Sequence, residues 1–201
     1  MLLVMTNEYR AAAAASIGAR RALRERAALM GGLRSCFVRV QTWLQAGKYL
    51  NALASDLPRA EILATDISED ALKIARENAI RHGVEDRIEF LRCDLLPDAT
   101  GNFDVVASNP PYIADGERES LPREVRDFEP QQALFSGATG YEIYRRLVPV
   151  AERALKPGGW CILEIGAGQS RQLREMLRDW RDVEIVRDLA NIDRVVCARR
   201  A

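Results

Sequence analysis

Phe103-Asp104-Val105-Val106-Ala107-Ser108-Asn109-Pro110-Pro111-Tyr112 is the stretch that decides how this chain is read. An apolar run of strand length ends in two prolines, and each ring fixes φ and removes a backbone donor. The result is a stiff turn whose carbonyls cannot be drawn back into a helix. They face a pocket beside one amide side chain, Asn109, and one aromatic face, Tyr112. Such a corner suits a planar group carrying an NH2: two acceptors hold its two hydrogens, and a ring lies on its plane. A plain strand-end turn with a buried tyrosine is the alternative.

Working outward, strands and helices alternate from about residue 57. Glu61 to Thr65 reads as a short strand ending at Asp66. Ser68 then caps a helix from Glu69 to His82, with Ala71, Leu72, Ile74, Ala75 and Ala79 as its apolar stripe and Gly83 as its stop. Arg87 to Arg92 alternates as a strand and reaches Cys93-Asp94. Gly140 to Leu155 reads as a helix closed by the turn Lys156-Pro157-Gly158-Gly159. Trp160 to Ile165 is a strand, Ser170 to Trp180 a helix, and Val183–Val186 and Arg194–Ala198 two final strands.

This alternation predicts a parallel sheet with helices on both faces, and the two closing strands, joined only by a turn, predict an antiparallel edge. In such sheets ligands lie outside the carboxyl ends of the strands. Asp66, Asp94 and Asn109 all stand there. Gly166-Ala167-Gly168 also follows a strand, but it lacks a third glycine and comes late in the sheet, so it is set aside as a dinucleotide loop.

The 201 residues suit one domain, and 48% hydrophobic with 29% charged residues is the composition of a soluble globular protein. Net charge is zero, so no global field draws the molecule to nucleic acid or an anionic membrane. Cys36, Cys93, Cys161 and Cys197 show no paired spacing; Cys93 and Cys161 sit in apolar runs and read as small buried thiols. No metal site is expected. His82, the single histidine, reads as a solvated helix end. No membrane span or secretory leader is expected, which leaves the cytoplasm. Residues 1–35 read as a basic, Ala/Arg-rich helical segment, with Ser35 to Val40 as a possible strand, and 36–201 as the catalytic unit.

Several elements together resemble the release-factor glutamine N5-methyltransferases of the PrmC/HemK family. They are Thr65-Asp66-Ile67-Ser68, Asp94, Ser108 to Ile113, Glu124 to Pro130 with Ala133-Leu134, Lys156 to Gly159, and Asp188-Leu189-Ala190 running to Asp193-Arg194-Val195-Val196. Asn-Pro-Pro-Tyr is shared with enzymes that methylate adenine or guanine amino groups; Val125 to Leu134 points to the glutamine branch. The resemblance implies a Rossmann-like class I methyltransferase fold of seven strands, with S-adenosylmethionine as donor and a peptide chain release factor as protein partner of a monomeric enzyme. Nucleic acid would be met only through the translation machinery.

It further implies roles by position. Gly47, Asp66, Asp94, Leu95 and Asn109 would hold the cofactor: Asp66 accepts from both ribose hydroxyls, and Asp94 and Leu95 lie at the adenine. Asn109, Pro110 and Tyr112 would be catalytic, and Asn109, Pro110, Pro111, Tyr112 and Glu129 would meet the glutamine, with Phe128-Glu129-Pro130 as a lid. A helix-end charge at Asp66, a solvated loop aspartate at Asp94 and an ordinary surface loop at 128–130 are the plainer readings.

The family's Asp-Leu-Gly-Thr-Gly-Ser-Gly loop, aligned without gaps, falls on Gln41 to Gly47, where only Gly47 matches. Trp43 and Gln45 put bulk where glycine permits close approach. Read two bases over, the codons for Gln41 to Gly47 can spell Asp-Leu-Ala-Thr-Gly-Gly. A frameshifted or misannotated N-terminus, with the family's helical bundle missing, is the expectation. Amino-group methylation of nucleic acid (adenine N6 or rRNA guanine N2) and an inactive remnant are the alternative functions.

Overall fold

The computed structural model describes residues 21–22, 24–26, 35–39 (backbone only), 58–97 and 100–201. Gly47 and the other residues aligned with the glycine-rich loop lie outside them, as does most of the expected N-terminal helical segment; residues 21–22 and 24–26 are helical.

Among the described residues, strands β1 (Ser35–Arg39), β2 (Glu61–Asp66), β3 (Ile88–Arg92), β4 (Phe103–Ser108), β5 (Leu155–Glu164), β6 (Arg181–Arg187) and β7 (Asp193–Arg199) form one sheet in the order β3-β2-β1-β4-β5-β7-β6. The first five run parallel and β7 antiparallel, so the expected edge is confirmed in kind. The outermost strand is β6, and β7 turns back between β5 and β6.

Helix α1 (Glu69–Arg81) begins as its sequence demands. The Ser68 hydroxyl accepts from the Ala71 N–H at 3.2 Å, and Ala71, Leu72, Ala75 and Ala79 are buried. Helix α4 (Glu142–Ala154) buries Tyr144, Leu147, Val148 and Ala151 despite Pro149 within it. Helix α5 (Ser170–Met176) ends short of the expected Trp180. Lys156 to Gly159 is a bulge inside β5: pairing slips between Phe103↔Leu155 and Val105↔Trp160.

Alternation along the strands feeds two cores. Val105, Ala107, Trp160, Ile162, Val195 and Cys197 face one layer; Val106, Cys161, Leu163, Val196 and Ala198 face the other, under α4 and α5. Cys161 and Cys197 are buried and burial pushes both thiols up, whereas Cys93 is only half-buried, because it stands past the end of β3. His82 is the exposed C-cap of α1.

Candidate active site

The sheet reverses its winding between β1 and β4, and a crevice at such a switch point is where ligands bind in open α/β sheets. Asn109 follows the last residue of β4, at that point. Asp66 closes β2 on the other side of β1.

Past Asn109, Pro110 and Pro111 are buried and Tyr112 packs against the core under α4. Burial, with a smaller push from Glu164, raises the Tyr112 phenol to about 12, so it offers a neutral face. The corner is fastened from two other loops by Gln169. Its Nε2 donates to the Tyr112 carbonyl at 2.9 Å and, more weakly, to the Gly140 carbonyl at 3.5 Å; its Oε1 accepts the Gly166 N–H at 2.9 Å. Two glycines make this possible. A Cβ on Gly140 (φ +77°) would stand 2.6 Å from the Tyr112 carbonyl oxygen, and one on Gly166 would stand 3.0 Å from the Tyr112 ring.

From Ala114 the chain makes an excursion through a 3-10 turn (Asp115–Ser120), α2 (Arg123–Phe128) and α3 (Gln131–Leu134). Its base is shut: Ile113 donates to the Leu134 carbonyl at 3.1 Å, Ser136 to Ile113 at 2.9 Å, and Asp115 to Gly137 at 2.8 Å. Phe128 at the end of α2 is 83% exposed. Glu129 is half-buried, and burial raises its carboxyl. The excursion carries the residues expected to form a lid.

On the other side, the Asp66 carboxylate is buried, with Oδ1 accepting the Ser68 N–H at 2.7 Å. The Cys93 N–H binds the Asp66 carbonyl at 3.1 Å and holds the ends of β2 and β3 together. Asp94 is exposed and ion-paired with Arg146 of α4. Leu95 adopts φ +63°, rare for a leucine. Its carbonyl accepts the Thr65 hydroxyl at 2.7 Å, and its side chain enters the core with Leu96, Phe103 and Tyr144. Whatever approaches there meets the backbone at Leu95.

Two residues escaped the sequence reading. One is Gln169, hidden behind the Gly166-Ala167-Gly168 decoy. The other is Glu164, last in β5 and 5% exposed. The signal for Glu164 was present: an acidic residue closing an apolar strand, the pattern that singled out Asp66.

Sheet order, the antiparallel β7 and a ligand edge at the β1/β4 reversal define a class I methyltransferase fold. The likeness to solved structures agrees: TrmN from Thermus thermophilus superposes with a TM-score of 0.60 at 24% identity, over 89% of this chain and 48% of that one. The ribosomal protein L11 methylase from Lactobacillus delbrueckii subsp. bulgaricus gives 0.60 at 20%, over 98% and 81%. Residues 46–194 match the family described as a methyltransferase domain, and the chain belongs to that family. Its resemblance to release factor glutamine methyltransferases is borne out. The protein of that name from Koribacter versatilis is 43% identical over 150 residues, 74% of this chain and 53% of that protein. The one from Bradyrhizobium diazoefficiens is 42% identical over 158 residues, 77% and 53%. This chain thus spans about half the length of these relatives. S-adenosylmethionine is the methyl donor of such a domain. The buried Asp66 fits it, since a carboxylate offers paired acceptors to vicinal hydroxyls.

Proposed function

We propose that this chain methylates the side-chain nitrogen of a protein glutamine, in the Gly-Gly-Gln motif of peptide chain release factors. The observation that carries this reading is the fastened Asn109–Tyr112 corner beside the excursion bearing Val125 to Leu134, the stretch that resembles the glutamine branch. We take 36–201 as one catalytic unit acting as a monomer in the cytoplasm, where release factors work. Among the described residues no helix is long and apolar enough to cross a membrane.

In this reading Asp66 holds the ribose of the cofactor, and Asp94 and Leu95 stand at its adenine. Bound there, the cofactor supplies an electrophilic methyl group. The Asn109 side chain and the Pro110 carbonyl accept the two amide hydrogens, Pro111 keeps that carbonyl fixed, and the neutral Tyr112 ring lies on the amide plane. Glu129 and Phe128 close over the peptide. An amide nitrogen is a weak nucleophile because its lone pair is delocalised. Catalysis therefore rests on orientation and on acceptors that stabilise positive charge growing on nitrogen.

The experiment offers labelled S-adenosylmethionine with intact release factor, a Gly-Gly-Gln peptide and an adenine-containing oligonucleotide. Label on the glutamine is expected. Label on the oligonucleotide alone would overturn the assignment.

A further inference from the structure

Glu164 has a position that the glutamine reading leaves unused. β4 and β5 are neighbouring parallel strands whose last registered pair is Ser108↔Leu163, so the next positions are Asn109 and Glu164. Neighbouring strands lie about 4.8 Å apart, and alternation puts position 164 on the face of Trp160 and Ile162. Its other neighbour in the sheet is Val195 of β7. The carboxyl is buried, yet no hydrogen bond reaches it from the described residues. The Tyr144 hydroxyl takes the Glu164 backbone carbonyl at 2.7 Å instead, and Arg194, the nearby cation, is bound to Asp188 at 3.3 Å. Burying a carboxyl is costly, and buried carboxyls cluster at functional sites.

We propose that Glu164 is a catalytic carboxylate of this site, which receives the proton that the substrate nitrogen loses as it is methylated. This rests on the reading that an NH2 group is methylated beside Asn109, but not on that group belonging to glutamine. The nitrogen's electron pair forms the new N–C bond, while the S–C bond of the donor breaks and leaves its pair on sulfur as a thioether. The nitrogen, now cationic, gives its N–H proton to the Glu164 carboxylate, which passes it to water. General-base help of this kind is worth about 10²–10⁴-fold.

Burial pushes the Glu164 carboxyl up to about 7, against a smaller lowering by Arg194. The titratable and charged groups that face it are Tyr112 from the β4 corner, Tyr144 from α4 and Arg194 from β7; beyond them, Glu129 of the excursion acts on Tyr112, Tyr141 on Tyr144, and Asp188 pairs with Arg194. The phenols of Tyr112 and Tyr144 are raised by burial and stay neutral here. Between the ordinary value of 4.5 and about 7 the folded chain binds more protons than the unfolded one. Stability therefore falls as pH rises through that window.

The test compares wild type with Glu164→Gln. In methyl transfer, the variant should lose about 10²–10³-fold in kcat with the KM for S-adenosylmethionine within about threefold, and lose the acid limb of the pH profile near 7. An unchanged kcat, or an acid limb kept by the variant, overturns the proposal. Two readouts need no turnover. Thermal unfolding of wild type should fall in Tm from pH 5 to pH 8 more than that of the variant, and equal falls count against the proposal. An infrared carboxyl band, present in wild type and missing from the variant, should titrate near 7 and shift on adding N-acetylglutamine methylamide. If wild type methylates only the oligonucleotide, the glutamine assignment fails while the kcat and pH comparison still decides the role of Glu164. If it methylates nothing, the infrared band decides alone: a band unmoved by the carboxamide sinks the proposal.

Discussion

The two sides of the β1/β4 crevice are built to different standards of rigidity. On the β4 side, a double proline, a glutamine bridging three loops and two glycine contacts hold the corner with hydrogen bonds largely shielded from water. On the β2/β3 side, Asp66 is anchored, but Asp94 stands in solvent with a half-exposed arginine as partner. Under the proposed function, the difference follows from what each side would recognise. A small carboxamide offers few atoms, so its acceptors must be placed in advance; a nucleoside brings many contacts and tolerates an open rim.

Substitutions on the two sides should therefore separate cleanly, and four of them test it. Asn109→Ala should have the largest effect, cutting methyl transfer by about 10²–10³-fold, with a far smaller loss of calorimetric affinity for S-adenosylmethionine. Equal loss of both would erase the distinction. Gly140→Ala should come next. A left-handed backbone and a methyl driven against the Tyr112 carbonyl should cost about 2–3 kcal/mol, read as a lowered Tm, with transfer falling alongside.

Gln169→Leu is close to isosteric but leaves the Gly166 N–H and the Tyr112 carbonyl without their partner. About 2 kcal/mol of stability should be lost, and kcat should fall more than cofactor affinity. The smallest change belongs to the open rim: Arg146→Met removes an ion pair whose side chains are about half exposed and should shift stability by under ~1 kcal/mol. A loss there as large as that at Gln169 would show the rim to be as tightly built as the corner.

Much of this crevice was legible from local sequence. Asp66, Asp94 and Asn109 each follow an apolar run, and a strand's end is visible without knowing its neighbours. The Ser68 cap and the Gly83 stop are likewise written within a few residues. What stayed hidden is long-range. Gln169 meets Tyr112 from 57 positions away, and nothing near either residue announces the pairing. Glu164 gains its meaning only from the β4–β5 register. Apolar spacing continues past the end of α5 through Leu177 and Trp180, which pack into the core from turns rather than from helix, so local pattern alone places the helix end too late. Leu95 is a different kind of miss. The resemblance puts it at the adenine, but its left-handed backbone turns the side chain inward, which no residue pattern foretells.

The excursion from Ala114 to Phe135 leaves and rejoins the domain at a single fastened point. A segment tethered in this way is a cartridge: evolution or an engineer can rewrite its length and composition while the sheet edge keeps its coordinates, because closing the loop costs little more as it lengthens. Under the proposed function, choice among protein substrates could therefore drift independently of the chemistry beneath it.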